Sequence, residues 1–169
     1  MPVFKVGKIP KRLDNGQVHL KLVGPWDWLR LYRLVRQADP QSLSQLGFHE
    51  KKAGLKAFLL LLYLFRLSYM VCVKDRAVGI AGIYEWQPGV ELFLTLAILD
   101  ASYRNMGIGS VCIELLLHEF LGSNLCRMIF VEVKKHNVKG LRFWKRHGFK
   151  VEFETRSTYV LKITSKNDQ

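Results

Sequence analysis

Cysteine is scarce in this chain of 169 residues, and its three cysteines lie far apart. Cys72, Cys112 and Cys126 include no C-x-x-C pair and no Cys/His cluster at zinc spacing, which excludes a small zinc module and a disulfide framework. We interpret them as reduced thiols that pack in the interior. Because the N-terminus also lacks the apolar segment of an export signal, we expect a cytoplasmic protein.

Long apolar runs are missing as well. The most apolar stretch, residues 57–67, has Arg66 inside it, and even when it is extended to residue 73 it is shorter than the roughly 20 uncharged residues of a membrane span. We interpret it as a buried helix that leads directly into a strand, with a helix lying on a membrane surface as the alternative. The sequence therefore predicts no membrane-spanning segment.

Acidic residues are few: 14 Asp and Glu stand against 26 Lys and Arg, for a net charge of +12. Such a surface attracts nucleic acids, anionic lipids, acidic proteins or phosphorylated cofactors. The charge is spread, with 14 basic and 6 acidic residues in 1–85 against 12 and 8 in 86–169. No nucleic-acid-binding motif accompanies it, so a nucleic-acid-binding or ribosome-associated protein is an alternative that rests on charge alone.

The hydrophobic pattern predicts alternating strands and helices in a single α/β (α+β) domain over residues 1–169. Its core spans 17–163, and residues 1–16 and 164–169 are peripheral. The order is β-α-α-β-β-β-α-β-α-β-β in a mixed sheet. Strands are predicted near 17–23, 69–74, 78–86, 90–99, 128–133, 149–154 and 158–163, and helices near 25–39, 42–67, 107–121 and 138–147.

A glycine-rich turn, Tyr-Arg-Asn-Met-Gly-Ile-Gly-Ser over 103–110, separates a predicted strand from an amphipathic helix. Its R-x-x-G-x-G spacing is neither a P-loop nor the G-x-G-x-x-G of dinucleotide-binding folds. The free N–H groups of a first helical turn bind anions, and glycines allow a ligand to approach the backbone. Arg104 adds a guanidinium suited to phosphate. Two glycines in such a position are also compatible with an ordinary tight turn.

A second motif follows the next predicted strand: Asn137, with Gly148-Phe149 eleven and twelve residues later. Together the two motifs resemble the GNAT superfamily of acyl-CoA N-acyltransferases, over residues 68–155 by motif and most of 17–163 by element order. The resemblance implies a GNAT-like fold with a mostly antiparallel sheet, acetyl-CoA as co-substrate and no metal. It also implies direct transfer of an acetyl group to a primary amine in a ternary complex.

The resemblance implies that coenzyme A lies in a V-shaped split between the strand ending near Leu99 and the strand ending near Val133. In the family, the backbone of the first strand pairs with pantetheine and polarises the thioester carbonyl. The cofactor-binding residues implied are Ala97, Ile98, Leu99, Arg104, Asn105, Met106, Gly107, Ile108, Gly109, Ser110, Asn137, Gly140, Phe143 and Trp144.

Two carboxylates are candidates for the base that deprotonates the amine. Glu132 lies five residues before Asn137, a spacing similar to that of the base in the GNAT branch that acetylates the α-amine of ribosomal proteins. The alternative for Glu132 is a carboxylate paired with Lys134 or Lys135. Glu91 opens the strand before the glycine turn, where other branches carry a base, and is alternatively a solvated hairpin residue.

The sequence departs from the family at Trp144, where many members carry a Tyr that protonates the departing thiolate. An indole N–H donates a hydrogen bond but is no useful acid near neutral pH. Three interpretations remain open. The thiolate leaves without an acid, the phenol of Tyr103 or Tyr159 substitutes, or the protein is a non-catalytic acyl-CoA-binding module.

The acceptor site in this family is built largely by the first two helices. Here they carry Trp26, Trp28, Phe48 and Phe58, which indicate an apolar acceptor pocket or, alternatively, ordinary core packing. The positive charge disfavours polycationic acceptors, and an α-amine of pKa about 7.7–8.0 is easier to deprotonate than a lysine of about 10.4. We expect the amine of a small molecule or peptide as acceptor, and a homodimer is left open.

Overall fold

Eight strands form one sheet in the computed structural model, which describes residues 9–45 and 67–165. They are β1 (Arg12–Asp14), β2 (Val18–Leu22), β3 (Leu67–Val73), β4 (Arg76–Gln87), β5 (Glu91–Ile98), β6 (Met128–Lys134), β7 (Lys150–Glu154) and β8 (Thr158–Thr164). Their spatial order is β1-β2-β3-β4-β5-β6-β8-β7. The β5–β6 pair is parallel and the other six neighbouring pairs are antiparallel.

Four α-helices lie in the described part of the chain: α1 (Trp28–Gln37), α2 (Pro40–Gln45), α3 (Ile108–Phe120) and α4 (Val138–Arg146). Asp39 separates α1 from α2, since its carboxylate accepts the backbone N–H of Ser42 at 3.0 Å and so caps α2. Gly148, with φ +88°, follows α4, as expected for a residue that ends a helix in the left-handed conformation.

The two faces of the sheet carry different helices and separate hydrophobic cores. The larger core includes Ile113 and Phe120 of α3, Leu94 of β5 and Val131 of β6. The smaller core joins Leu31 and other residues of α1 to Ala97 and Leu99 on the opposite face. The end of β5 is therefore held between α1 and α2 on one side and α3 on the other.

One extra residue in β4 changes which side chains face α1. In the β4–β5 pairing, Ile83 lies opposite Leu94 and Glu85 lies opposite Phe93, so Tyr84 has no partner position of its own on β5. Such a β-bulge redirects a side chain relative to strict alternation. Tyr84 packs against the smaller core, and its ring centroid is 5.6 Å from that of Phe93.

The predicted fold class and element order are confirmed from β2 onwards, including the mostly antiparallel mixed sheet. The pattern did not predict β1, whose three residues pair with His19 and its neighbours in β2. Most of the helix expected over 42–67 lies outside the described residues, as do Phe48 and Phe58. Among the described helices, none combines the length and apolar character needed to cross a membrane.

Candidate acetyl-CoA site

The parallel pair β5 and β6 separates part of the way along its length. Cα pairing runs from Glu91 opposite Met128 to Leu94 opposite Val131 and then stops. β5 continues to Ile98 beside β4, and β6 continues to Lys134 beside β8. The two strand ends therefore diverge, and the split expected between them is present. Its sides carry residues 97–99 on one strand and Glu132 on the other.

The glycine turn lies at the open end of β5. Asn105 and Gly107 both have left-handed backbones, with φ +60° and +78°. A Cβ at Gly107 would meet no atom within 4 Å, so the backbone beside it faces open space. Gly107 directly precedes α3, and its carbonyl accepts the N–H of Val111 at 3.1 Å. The N–H groups of Ile108, Gly109 and Ser110 precede that bond, in the positions that lack a helical acceptor.

Helix α4 closes against this turn. The ring of Phe143 lies so close to Gly109 that a Cβ there would be 3.3 Å from its Cε2 atom. The side-chain oxygen of Asn137 accepts the N–H of Gly140 at 2.9 Å and caps α4. A side chain at Gly140 would collide with the amide of Asn137. The second motif thus fixes the start of α4 and sets α4 beside α3.

Trp144 is buried, with its ring 5.1 Å from Phe149 and 5.2 Å from Phe143 in edge-on contacts. It belongs to the larger core. The two phenols considered as substitutes, Tyr103 and Tyr159, also pack against this core. Arg76 stacks on the ring of Tyr103 at 5.4 Å, and Lys135 stacks on that of Tyr159 at 5.2 Å. The indole therefore has a packing role that a tyrosine hydroxyl would not fill equally well.

The side chain of Arg104 points away from the glycine turn. Its Nε donates to the carbonyl oxygen of Ile98 at 3.0 Å, and its Nη2 donates to that of Leu99 at 3.2 Å. The same Nη2 also donates to the carboxylate of Asp39 and to the hydroxyl of Ser42. The sequence indicated this guanidinium as a phosphate ligand, whereas in the structure it binds acceptors of the protein itself.

Glu132 is exposed, and its neighbours Val131 and Val133 are buried on the opposite face, as strand alternation predicted. Lys135, one of its two expected partners, instead binds Glu154 Oε2 at 2.8 Å. Burial raises the pKa of Tyr84, and the negative charge of Glu132 raises that pKa further. Val131 and Val133 belong to the larger core, so Glu132 faces the other side of the sheet. Tyr84 packs against the smaller core on that same side.

Glu91 lies at the other end of the parallel pair, opposite Met128. Met128 and Glu132 are four positions apart on β6, which is about 13 Å at the usual rise of a strand. The structure therefore does not bring the two candidate carboxylates together. Glu132 is the one that lies beyond the point of divergence.

The exposed tryptophans do not form a core. Trp26 is 93% exposed and Trp28 is 50% exposed, so the interpretation of these two residues as core packing is wrong. Trp28 begins α1, whose buried side chains are those of Leu31, Leu34 and Val35. The apolar acceptor pocket stays a prediction, because its other two residues lie outside the described chain.

Sequence reasoning missed two residues of this region. The bulge in β4 places Tyr84 on the same face of the sheet as Glu132. The sequence could have indicated this bulge only by a break in the polar and apolar alternation of β4. Asp39 was identified as the end of a helix, and its Asp-Pro signal gave no sign of the bond to Arg104. Burial alone would raise the pKa of Asp39, but hydrogen bonds from Arg104 and Ser42 outweigh it and hold that pKa below its ordinary value.

Two features of this region suit an acyl-CoA. The mutual pairing of β5 and β6 stops at Leu94 and Val131, which leaves a split between the strands, and the α3 N-terminus offers N–H donors for a pyrophosphate. Within residues 9–45 and 67–165, no group of three or more His, Cys, Asp and Glu side chains is placed to hold a metal. The three thiols are buried, and burial raises the pKa of Cys112 and of Cys126 to about 12, which suits packing rather than nucleophilic chemistry.

The model of the acetyltransferase (GNAT) family matches residues 28–149, well over half of the chain. The chain belongs to the GNAT acetyltransferase family. The general reaction of this family is acetyl transfer, and acetyl-CoA is the donor that the family uses. No curated protein sequence is similar enough to this chain to count as a match.

Solved structures of GNAT proteins share the fold of this family member. A probable GNAT-family acetyltransferase from Chromobacterium violaceum has a TM-score of 0.76 at 20% identity, covering 100% of this chain and 96% of that one. RimL, a ribosomal L7/L12 α-N-protein acetyltransferase, has 0.75 at 13% identity, covering 94% and 99%. The microcin C7 self-immunity acetyltransferase MccE, in complex with acetyl-CoA and AMP, has 0.73 at 14% identity, covering 95% and 99%.

Proposed function

We propose that this protein is an N-acetyltransferase that transfers the acetyl group of acetyl-CoA to the primary amine of a small molecule or peptide. The observation that supports it best is the divergence of β5 and β6 after Leu94 and Val131, with the glycine turn directly beyond the end of β5. Exposed backbone in the split fits the extended pantetheine arm. The N-terminus of α3 fits the pyrophosphate.

In the proposed reaction the amine and acetyl-CoA are bound together. The amine nitrogen forms a bond to the acetyl carbonyl carbon, the carbon–sulfur bond breaks, and CoA leaves as the thiolate. Glu132 accepts the proton that the nitrogen loses. A backbone N–H of β5 that faces the split stabilises the negative charge that develops on the carbonyl oxygen. With Trp144 buried, solvent supplies the proton that the thiolate takes up after it leaves.

Three features favour a neutral or weakly basic acceptor. The net charge of +12 repels polycations. An α-amine is partly unprotonated near neutral pH, so a single carboxylate suffices as base. Beside Glu132, the rings of Phe93 and Phe130 stack with centroids 4.9 Å apart and an interplanar angle of 15°. Phe130 is only 8% exposed, so the partly exposed ring of Phe93 is the part that suits an acceptor with an apolar group near its amine.

The first experiment is a calorimetric titration with acetyl-CoA. We expect micromolar binding by the wild type and its loss in Gly107→Glu, since a carboxylate there would fill and repel the pyrophosphate site. Gly89→Glu is the matched control. Gly89 has φ +75° with open space beside it, in the β4–β5 turn at the other end of β5. Equal loss in both variants, or no binding by the wild type, contradicts the proposed cofactor site.

The second experiment measures CoA release with peptides that carry a free α-amine, and with spermidine as a polycationic comparison. We expect Glu132→Gln to bind acetyl-CoA normally and to lower the rate with peptides by about 10²–10⁴-fold. Glu114→Gln, an exposed change on α3, is the control. If acetyl-CoA binds and no amine releases CoA, the non-catalytic acyl-CoA-binding module that Trp144 suggests becomes the better description.

A further inference from the structure

Arg104 joins three separate segments of the chain. Its guanidinium donates to the carbonyl oxygens of Ile98 and Leu99 at the end of β5, and to the carboxylate of Asp39 and the hydroxyl of Ser42 at the α1–α2 corner. Its own backbone lies in the loop that leads to the glycine turn. One side chain therefore connects the proposed cofactor turn, the strand end beside the split, and the two helices on the opposite face.

The acceptors at the corner are themselves held in place. Asp39 accepts from the Ser42 hydroxyl at 3.1 Å as well as from the Ser42 N–H. Ser42 is only 2% exposed, so its hydroxyl lies in the interior and is satisfied within this cluster. Pro40 begins α2 with a fixed φ, and Asp39 caps that helix. The corner is thus a defined docking point for the guanidinium.

Arg104 has two candidate roles: a ligand of the cofactor phosphates, or a residue that positions the end of β5. The chemistry of its bonds distinguishes between them. A guanidinium has five N–H donors in a rigid fork and no acceptor, and it pairs best with one carboxylate or phosphate at a time. Here Asp39 occupies that place, and the β5 carbonyls take further donors. The positive charge of Arg104 in the R-x-x-G-x-G motif is therefore neutralised within the protein by Asp39, and removing the Asp39 carboxylate would leave the guanidinium without an anionic partner.

We propose that Arg104 is a positioning residue, which holds the end of β5 against the α1–α2 corner so that the peptide groups of residues 97–99 keep the orientation that acetyl-CoA needs. This inference rests on the proposed function. The strand end is also fixed from β4, because the N–H groups of Leu99 and Asp100 both donate to the Val78 carbonyl, at 2.9 and 3.0 Å. Arg104 completes this restraint from the side of α1 and α2.

The two roles predict opposite effects of Asp39→Asn on acetyl-CoA binding. If Arg104 were a phosphate ligand, Asp39 would compete with the pyrophosphate, and Asp39→Asn would leave binding unchanged or tighten it. If Arg104 positions the strand end, Asp39→Asn and Arg104→Gln both weaken binding, by roughly tenfold. The double variant then binds no more weakly than either single variant, because both changes break the same connection.

The assay is the dissociation constant of acetyl-CoA by calorimetry, at a temperature where every variant is folded. A residue with only a structural role would lower the unfolding temperature and leave this constant unchanged. Arg76→Gln is the matched control, since it breaks a neighbouring Arg–Asp pair, Arg76 with Asp100 at 2.8 Å. Arg76, Asp39 and Asp100 line the same cavity of about 290 Å³, so the control removes an equal charge from the same region.

Every outcome of this experiment either supports or overturns the positioning role of Arg104. Weaker binding in Asp39→Asn and Arg104→Gln, with Arg76→Gln near wild type, supports positioning. Unchanged or tighter binding in Asp39→Asn, or an equal effect of Arg76→Gln, overturns the positioning role alone and leaves the proposed function standing. No binding by the wild type overturns both. If Arg104→Gln does not fold, Arg104→Lys takes its place, because lysine keeps the positive charge but lacks the planar guanidinium. Arg104→Lys is expected to bind acetyl-CoA as weakly as Asp39→Asn.

Discussion

Replacing Gly107 with Ala tests the backbone of the glycine turn directly. Gly107 has φ +78° and ψ −4°, in the left-handed region, and a Cβ there would meet no atom within 4 Å. The substitution therefore adds conformational strain and no collision. Left-handed backbone costs a residue with a Cβ about 1–2 kcal/mol. We expect the free energy of unfolding to fall by about that amount, which lowers the melting temperature by roughly 2–4 °C per kcal/mol in a chain of this size.

The assay is urea unfolding followed by fluorescence, with the slope of the transition compared between variants. Gly107→Asn is the control, because asparagine tolerates the left-handed region and is a good N-cap, so its loss is expected to be smaller. Gly89→Ala, at φ +75° and also open to solvent, is expected to cost as much as Gly107→Ala. No loss of stability in Gly107→Ala, or an equal loss in Gly107→Asn, would refute the left-handed assignment of this turn.

Three further predictions concern the core, the thiols and the ion pair between buried Asp27 and Lys21, whose side chain is 44% exposed. Ile113→Ala, at a fully buried position, should lower the free energy of unfolding by about 2–5 kcal/mol in urea melts, whereas exposed Glu114→Ala should change it by less than about 0.5; equal effects would contradict the packing of α3. Because burial raises the pKa of Cys112 to about 12, its thiol stays protonated at pH 8, so a disulfide reagent should label the three cysteines slowly in the folded protein and rapidly in urea; rapid labelling when folded would contradict their burial. Burial raises the pKa of Asp27, but the hydrogen bonds from Lys21 Nζ at 2.7 Å and from the Gly24 N–H, together with the charges of Lys21 and Arg30, outweigh it and lower that pKa. The stability that the ionised carboxylate provides is therefore present above the unfolded value near 3.9 and is lost as the pH falls through the lower folded value. Asp27→Asn should therefore cost about 1.5–3 kcal/mol near pH 7 and less below pH 4, as measured by melts across pH; a cost that does not change with pH would contradict the ion pair.

Local signals were sufficient to predict most of the elements. The β-branched run over 128–133 predicted β6, and strand geometry predicted that Glu132 faces away from its two neighbours, because side chains on a strand point to alternate faces. Gly148 predicted the end of α4, because few other residues adopt positive φ there. Strand β1 escaped prediction, since three polar-flanked residues carry too little pattern to distinguish a strand from a loop.

For the candidate site as well, some features follow from local sequence and others depend on the tertiary structure. The sequence by itself determined the glycine turn, the second motif with Asn137 and the family, because each depends on residue types at short, fixed spacing. Only the tertiary structure decided where the Arg104 side chain goes. Its partner Asp39 lies 65 residues earlier in the chain, and no local pattern reports a bond over such a separation. The bulge at Tyr84 and the burial of Trp144 likewise depend on how strands pair and helices pack, which is decided by contacts between distant segments.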